Sequence, residues 1–140
     1  MTPLSEIIDN FAYLDEWEDR YRYVIDLGKD VQGVKDEDKT TENKVQGCAS
    51  QVWLKSHVSG TGPSAIMVFD GDSDAHIVRG LVAIVLAIYS GKPASEIRDL
   101  DAISVFTEIG LIEHLSAQRA NGLRSMIRRI REEAAELAAA

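Results

Sequence analysis

One segment, Ile77–Tyr89, constrains the fold of this chain more than any other. Its apolar residues cover most of the circumference of a helix, and they are Ile77, Val78, Leu81, Val82, Ile84, Val85, Leu86 and Ile88. A helix that is apolar on most sides must be covered by other elements on several sides. The sequence therefore predicts a central, buried helix over Asp74–Tyr89, with the remaining elements packed around it.

Helical spacing of apolar residues also predicts two helices before this segment and three after it. Their expected bounds are Pro3–Tyr13, Asp15–Leu27, Ala94–Arg98, Ile103–Ile109 and a long C-terminal helix after Ser116. Gly28 is expected to end the second helix, and Ser116 to cap the last one. The last helix turns Leu123, Met126, Ile127 and Ile130 inward, and its Ala-rich end is expected to fray. Between the second helix and the sheet, Lys29–Asn43 is expected to be a surface loop.

A period of two replaces the helical period between these groups of helices. Gln51–Val58 alternates apolar and polar residues, and Ala65–Phe69 is a second apolar run. The short connection between them indicates antiparallel pairing. Lys44 and Val45 are expected to add an edge strand, and the acidic stretch Asp70–Asp74 to end the sheet. Its residues Asp72, Ser73 and Asp74 are expected to cap the central helix. The prediction is an α+β fold in one domain, residues 1–140, with a small antiparallel three-stranded sheet packed against helices.

Charge and composition exclude several classes of protein. The net charge of −8 disfavours a nucleic-acid partner. Arginines 124, 128, 129 and 131 alternate with glutamates, which is typical of a solvated helix face. Arg79 interrupts the longest apolar run, which is also shorter than the roughly 20 residues of a membrane span. One cysteine forms no internal disulfide, and the N-terminus lacks a signal pattern, so we expect a cytoplasmic protein with no membrane partner.

The single cysteine, Cys48, is the candidate reactive group. It follows Gly47 at a junction between a loop and a strand, where glycine allows backbone angles that are closed to other residues. Val45, Val52 and Trp53 are expected to shelter its sulfur. Residue chemistry alone favours a second interpretation, a small apolar side chain buried for packing. The chain has no Cys-x-x-Cys pair, and no histidine near Cys48 in sequence indicates an activated thiolate.

The window Gly47–Trp53 resembles the GC-x-SQVW signature of the SufE family, which includes CsdE-like proteins. Further matches run in order along nearly the whole chain: Trp17, Glu18, Tyr21, Leu27, Gly28, the ranges 36–38, 43–47 and 71–75, Ile77, Val78, Gly80, Leu81, His114, Leu115, Arg119, Gly122 and Leu123. The resemblance implies a fold similar to that of SufE and of the scaffold IscU. A scaffold role is not expected, because scaffolds hold clusters with several thiolates.

The same resemblance implies the function. A SufS-type or CsdA-type cysteine desulfurase would pass persulfide sulfur to Cys48, and the chain would stimulate that enzyme and deliver sulfur to a SufB-type scaffold for iron–sulfur cluster assembly. Gly47, Gln51, Asp74 and Arg119 match family residues near the site or the partner surface. No cofactor is expected in this chain. Whether the chain counts as an enzyme is left open, because it would carry another enzyme's sulfur.

Two other function classes stay open. In the first, the chain is a binding module that regulates a partner, with Cys48 in its core. In the second, it is a cysteine hydrolase, which needs a histidine base beside the nucleophile. The three histidines, His57, His76 and His114, lie on different predicted elements. We therefore expect separate, solvent-facing histidines and no metal site.

Overall fold

Helix α3 (His76–Tyr89) lies at the centre of the computed structural model, which describes residues 2–140. Eleven of its 14 residues are buried, so the prediction of a central, buried helix is confirmed. It starts two residues later than expected and packs against α2 (Trp17–Lys29) on one side and the sheet on the other. The other elements therefore pack around α3 and bury it.

The other predicted helices are also present. They are α1 (Leu4–Tyr13) and α2 before the sheet, and α4 (Ala94–Asp99), α5 (Ala102–Glu108) and α6 (Ala117–Ala139) after α3. Short 3₁₀ turns lie at 36–38, 62–64 and 112–114. The Ser116 hydroxyl accepts from the backbone N–H of Arg119 at 3.2 Å, so the predicted cap of α6 is confirmed.

The three strands form one antiparallel sheet with the order β1-β2-β3: β1 (Val52–Ser59), β2 (Ile66–Ser73) and β3 (Lys92–Pro93). The predicted α+β class with a three-stranded antiparallel sheet is confirmed. The third strand is a different one from the segment expected, because Lys44 forms only an isolated bridge to Trp53. Arg129 of α6 binds the carbonyl oxygens of Glu42 and Lys44, at 2.6 and 2.8 Å, and holds this segment against the helix.

The acidic stretch before α3 continues the sheet instead of ending it, since β2 pairs with β1 as far as Ser73. Its expected capping role is wrong: the N-cap of α3 is Ala75, which makes no side-chain cap bond. Asp72 is buried and pairs with Arg79, with 3.1 Å between Oδ1 and Nη1. A buried carboxylate needs such a partner, and Arg79 comes from the first turn of α3.

Two glycines bring α2 and α3 into backbone contact. Gly28 is inside α2 and does not end it, contrary to the sequence prediction. A Cβ on Gly28 would lie 2.7 Å from the backbone nitrogen of Gly80, and a Cβ on Gly80 would overlap the carbonyl oxygen of Val24. Both positions therefore exclude larger side chains because the two helices approach so closely.

Two surface predictions are also corrected. Val31 and Val34 in the polar segment after α2 are buried. The backbone N–H of Val34 donates to Asp72 of β2 at 3.1 Å, which holds this segment against the sheet. The Ala-rich end of α6 stays helical to Ala139, and Ala134 is fully buried. Among residues 2–140, no helix combines the length and apolar character needed to cross a membrane.

Candidate functional site

Cys48 lies on a short loop whose backbone is held at both ends by hydrogen bonds. At the start, the N–H of Val45 donates to the carbonyl oxygen of Val52 at 2.8 Å. At the end, the N–H of Gln51 donates to Asp74 Oδ1 at 3.1 Å, and the N–H of Asp74 donates to the Gln51 carbonyl oxygen at 3.2 Å. The loop is therefore fixed at its base, and Cys48 is near its tip.

Gly47 shapes the tip of this loop for two separate reasons. Its φ of +88° lies in the left-handed region, which favours glycine. A Cβ at this position would also lie 2.8 Å from the hydroxyl oxygen of Ser125 on α6. The glycine before the cysteine thus lets the loop turn and lie directly on α6.

The Cys48 thiol rests against α6 and is half-buried. Its Sγ lies 3.6 Å from the carbonyl oxygen of Gly122, to which the thiol donates a weak hydrogen bond. Gly122 presents no side chain here, and a Cβ on it would lie 3.4 Å from Sγ. Because residue 122 has no side chain, the sulfur can lie directly against the backbone of α6.

A cavity of about 360 Å³ opens beside the sulfur. Its apolar wall comes from two helices, α3 and α6, and consists of Val78, Leu81, Leu123 and Met126. Its polar edge includes Ser50 of the loop and Arg119 of α6. Val45, Val52 and Trp53, which the sequence predicted beside the sulfur, do not line this cavity. Helices far from Cys48 in sequence provide the shelter.

Burial raises the pKa of the Cys48 thiol above its ordinary value. Loss of water around a thiolate destabilises the charged form, and the Arg119 guanidinium on the cavity edge does not reverse the effect. At neutral pH the resting site therefore holds a protonated, poorly nucleophilic thiol. A thiol in this state reacts more slowly than an exposed thiol at the same pH.

The comparisons with known proteins bear on this site. The sequence model of the SufE family, described as an Fe-S metabolism associated domain, matches residues 5–134. The chain belongs to the SufE family. An uncharacterized SufE-like protein of Rhizobium meliloti (strain 1021) is 67% identical over 134 residues, which cover 96% of each chain. Another from Rhizobium etli is 66% identical over 140 residues, covering 100% of this chain and 95% of the relative.

A solved structure supports the fold. The solution structure of a hypothetical protein from Thermus thermophilus superposes with a TM-score of 0.75 over 100% of both chains, at 15% identity. An identity this low carries the α+β fold alone. The SufE assignment itself rests on the sequence matches, and it places the chain in iron–sulfur metabolism.

The four residues that the SufE resemblance indicated near the site or the partner surface all lie around the Cys48 loop or its cavity. Gly47 forms the turn, Gln51 and Asp74 hold the base, and Arg119 lines the cavity. Sequence reasoning missed the role of Gly122 under the sulfur and the contribution of α3. The spacing of Arg119, Gly122 and Met126 would have placed those three on one face of α6.

The histidines of this SufE-family chain lie on other surfaces. His57 pairs with Asp70 at 2.7 Å, and His114 stacks on Trp17 with 4.0 Å between ring centroids. Within residues 2–140, no histidine lines the Cys48 cavity and no group of three or more metal-binding side chains converges. This arrangement gives Cys48 no histidine base and weakens the interpretation as a cysteine hydrolase.

Proposed function

We propose that this SufE-family chain accepts persulfide sulfur from a cysteine desulfurase onto Cys48 and carries it toward iron–sulfur cluster assembly. The observation that carries the proposal is the position of the chain's one cysteine, on a pinned loop at the mouth of an apolar cavity. Membership of the SufE family supports the metabolic context. The donor would be a SufS-type or CsdA-type enzyme and the recipient a SufB-type scaffold.

The transfer is a thiol–persulfide exchange. The Cys48 thiolate attacks the outer sulfur of the desulfurase persulfide, and the bond between that sulfur and the desulfurase cysteine breaks. The desulfurase cysteine leaves as a thiolate with the bonding electron pair and takes up the proton released from Cys48. No net oxidation occurs, and one cysteine is enough because the product is a persulfide. Removal of the persulfide would stimulate the desulfurase by freeing its cysteine.

The surroundings of Cys48 suit a carrier that is idle between encounters. A half-buried, protonated thiol resists reaction with solutes, and an apolar wall excludes water from a bound persulfide. We propose that Gly47, Gln51 and Asp74 set the position of the loop. Arg119, exposed on the cavity edge, is proposed to contact the desulfurase or to favour an anionic sulfur. The chain needs no cofactor of its own in this scheme.

Intact-mass measurement tests the proposal directly. The chain would be incubated with a SufS-type desulfurase, pyridoxal phosphate and cysteine, and we expect a gain of one sulfur atom on Cys48. Cys48→Ser is expected to abolish both this gain and the stimulation of the desulfurase, while Ser50→Ala serves as a matched loop control. An unmodified Cys48 with a matched partner would contradict the proposal.

One observation favours a second function. The half-burial and raised pKa of Cys48 also suit a binding module in which the cysteine is a packing residue. In that case Cys48→Ser would stimulate the desulfurase as well as the natural chain does. The same assay therefore separates the two functions.

The proposal includes the organisation and location of the chain. One continuous core runs from Ile7 to Ala134, which supports a single domain over residues 1–140, Met1 lying outside the described residues. A cytoplasmic location is proposed because a cysteine that carries persulfide must stay free of disulfides, which a reducing compartment ensures.

A further inference from the structure

A second concave surface lies on the side of α6 that faces away from Cys48. We call it the basic groove. It has a volume of about 500 Å³ and runs between α6 and the segment of α4 and α5. Four arginines line it: Arg98, Arg124, Arg128 and Arg131. Its floor is apolar and consists of Ile103, Ile127 and Ala135.

The basic groove holds more positive charge than its own carboxylates balance. Asp101 and Glu132 are the acidic residues that line it, and Asp101 Oδ1 already accepts from the backbone N–H of Ile103 at 3.0 Å. Arg124 and Arg128 are exposed, and neither forms an ion pair with any other residue in the range 2–140. Two free guanidinium groups thus point into one concave surface of a chain whose net charge is −8.

The two other arginines are held in place by the protein. Arg98 forms two bonds to the carboxylate of Asp99, at 2.9 and 3.1 Å. Arg131 Nε donates to the carbonyl oxygen of Arg98 at 3.1 Å, which joins α6 to α4 across the groove. These bonds fix one end of the groove, so part of its charge is preorganised for a ligand.

The α6 arginines, which the sequence predicted on a solvated helix face, divide between two sides of the helix. Arg129 lies 3.9 Å from Glu133, measured from its Nε, and it also holds the segment before the Cys48 loop. Arg124, Arg128 and Arg131 lie on a different side of the helix and line the groove together with Arg98. The helix thus separates arginines that look alike in sequence.

We propose that the basic groove binds a short acidic segment of a partner protein, with at least one apolar side chain beside its carboxylates. Guanidinium groups bind carboxylates through paired, charge-assisted hydrogen bonds. The apolar floor would receive the uncharged side chain. From Arg124 to Arg131 the helix rises about 10 Å, which an extended segment covers with roughly three or four residues.

The shape and charge of the groove favour a protein segment over a nucleic acid. Nucleic acids are recognised by neutralising many phosphates along a backbone. Here the positive surface is short, its floor is apolar, and the rest of the chain is strongly acidic and would repel a long polyanion. A compact acidic segment avoids most of that repulsion.

The basic groove is separate from the Cys48 site. At about 100° per residue, Arg124, Arg128 and Arg131 lie roughly on the opposite side of α6 from Gly122, which contacts the sulfur. A partner in the groove would leave the Cys48 cavity open. The inference therefore goes beyond the proposed sulfur transfer, and its test does not depend on that reaction.

Fluorescence anisotropy with a labelled synthetic peptide of alternating Glu and Leu tests the groove. We expect saturable binding that weakens with added salt and is retained by Cys48→Ser. Arg124→Glu combined with Arg128→Glu should weaken binding by about tenfold or more. The matched control combines Arg22→Glu with Lys35→Glu, two exposed positions outside the groove that change the net charge equally.

Further probes make each result decisive. A Gln–Leu peptide of equal length should bind far more weakly than the Glu–Leu peptide, and a thymidine oligonucleotide should not compete. If the charge-reversal variant unfolds, Arg124→Gln with Arg128→Gln replaces it. The proposal is overturned if the natural chain shows no saturable binding, if the control variant loses as much affinity, or if the oligonucleotide binds more tightly than the peptide.

Discussion

The sulfur of Cys48 lies 3.6 Å from the carbonyl oxygen of Gly122, and the missing Cβ of Gly122 would lie 3.4 Å from that sulfur. Residue 122 therefore sets how closely the cysteine loop rests on α6. A methyl group at this position would make ordinary van der Waals contact with Cys48. A branched side chain would extend farther and occupy the place of the sulfur.

Gly122→Val is expected to displace the Cys48 loop and expose the thiol. Alkylation by iodoacetamide at fixed pH should become faster by about tenfold. This increase corresponds to a free energy of local opening that is lower by roughly 1.4 kcal/mol. Gly122→Ala is the matched control and should react at nearly the natural rate. Circular dichroism would verify that α6 is intact in both variants. Equal rates for Val and Ala would contradict the role assigned to Gly122.

Asp74 is expected to hold the base of the same loop through Gln51. Asp74→Ala removes the oxygen that accepts from the Gln51 N–H, whereas Asp74→Asn keeps an acceptor there. A net loss of about 1 kcal/mol should increase amide exchange at Gln51 and alkylation of Cys48 by about fivefold in the Ala variant. The Asn variant should change both much less. Hydrogen exchange by NMR, with unchanged exchange in α3 as the reference, checks this prediction.

The reactivity of Cys48 should depend on pH in a way that reports its burial. Because burial raises its pKa, the alkylation rate should rise with pH and reach half its maximum above the value for free cysteine. In Gly122→Val, this midpoint should fall toward the free value. If the midpoint for Cys48 in the natural chain lay below the midpoint for free cysteine, a nearby cation would be stabilising the thiolate.

The same shift in pKa predicts a change in stability. Below the pKa of the unfolded chain, the thiol is protonated in both states and adds no pH dependence. As the pH rises from that pKa through the higher folded one, the unfolded chain loses its proton first, so the folded state loses stability. Cys48→Ser should lack this alkaline component, and urea unfolding across the range measures the difference.

Gly80→Ala is expected to lower the free energy of unfolding by about 3 kcal/mol. The added Cβ would overlap the backbone of Val24, so α2 must move away from the central helix. Gly122→Ala is a matched glycine replacement inside a helix and should be neutral or stabilising by up to about 1 kcal/mol. Thermal and urea unfolding compare the two. Similar stabilities for both variants would show that the α2–α3 contact tolerates a side chain.

Local spacing in the sequence predicted the helices, the two long strands and the SufE signature around Cys48. These features depend on residues a few positions apart, because apolar periodicity and caps act within one element. Ser116 illustrates the point, since its hydroxyl caps a backbone N–H three residues away. The family was predicted correctly for a similar reason, because the Gly47–Trp53 window is continuous in sequence.

The tertiary structure alone decided which distant residues meet. Gly122 lies 74 residues after Cys48 in sequence, and yet its carbonyl oxygen contacts the Cys48 sulfur. Asp72 suggested a helix cap in sequence, but packing buries it, and Arg79 compensates the charge. The basic groove likewise forms only when α4 is placed beside α6. The sequence determined the elements and the reactive residue, whereas the packing of those elements determined the environment of Cys48, because burial and pairing depend on surfaces from separate parts of the chain.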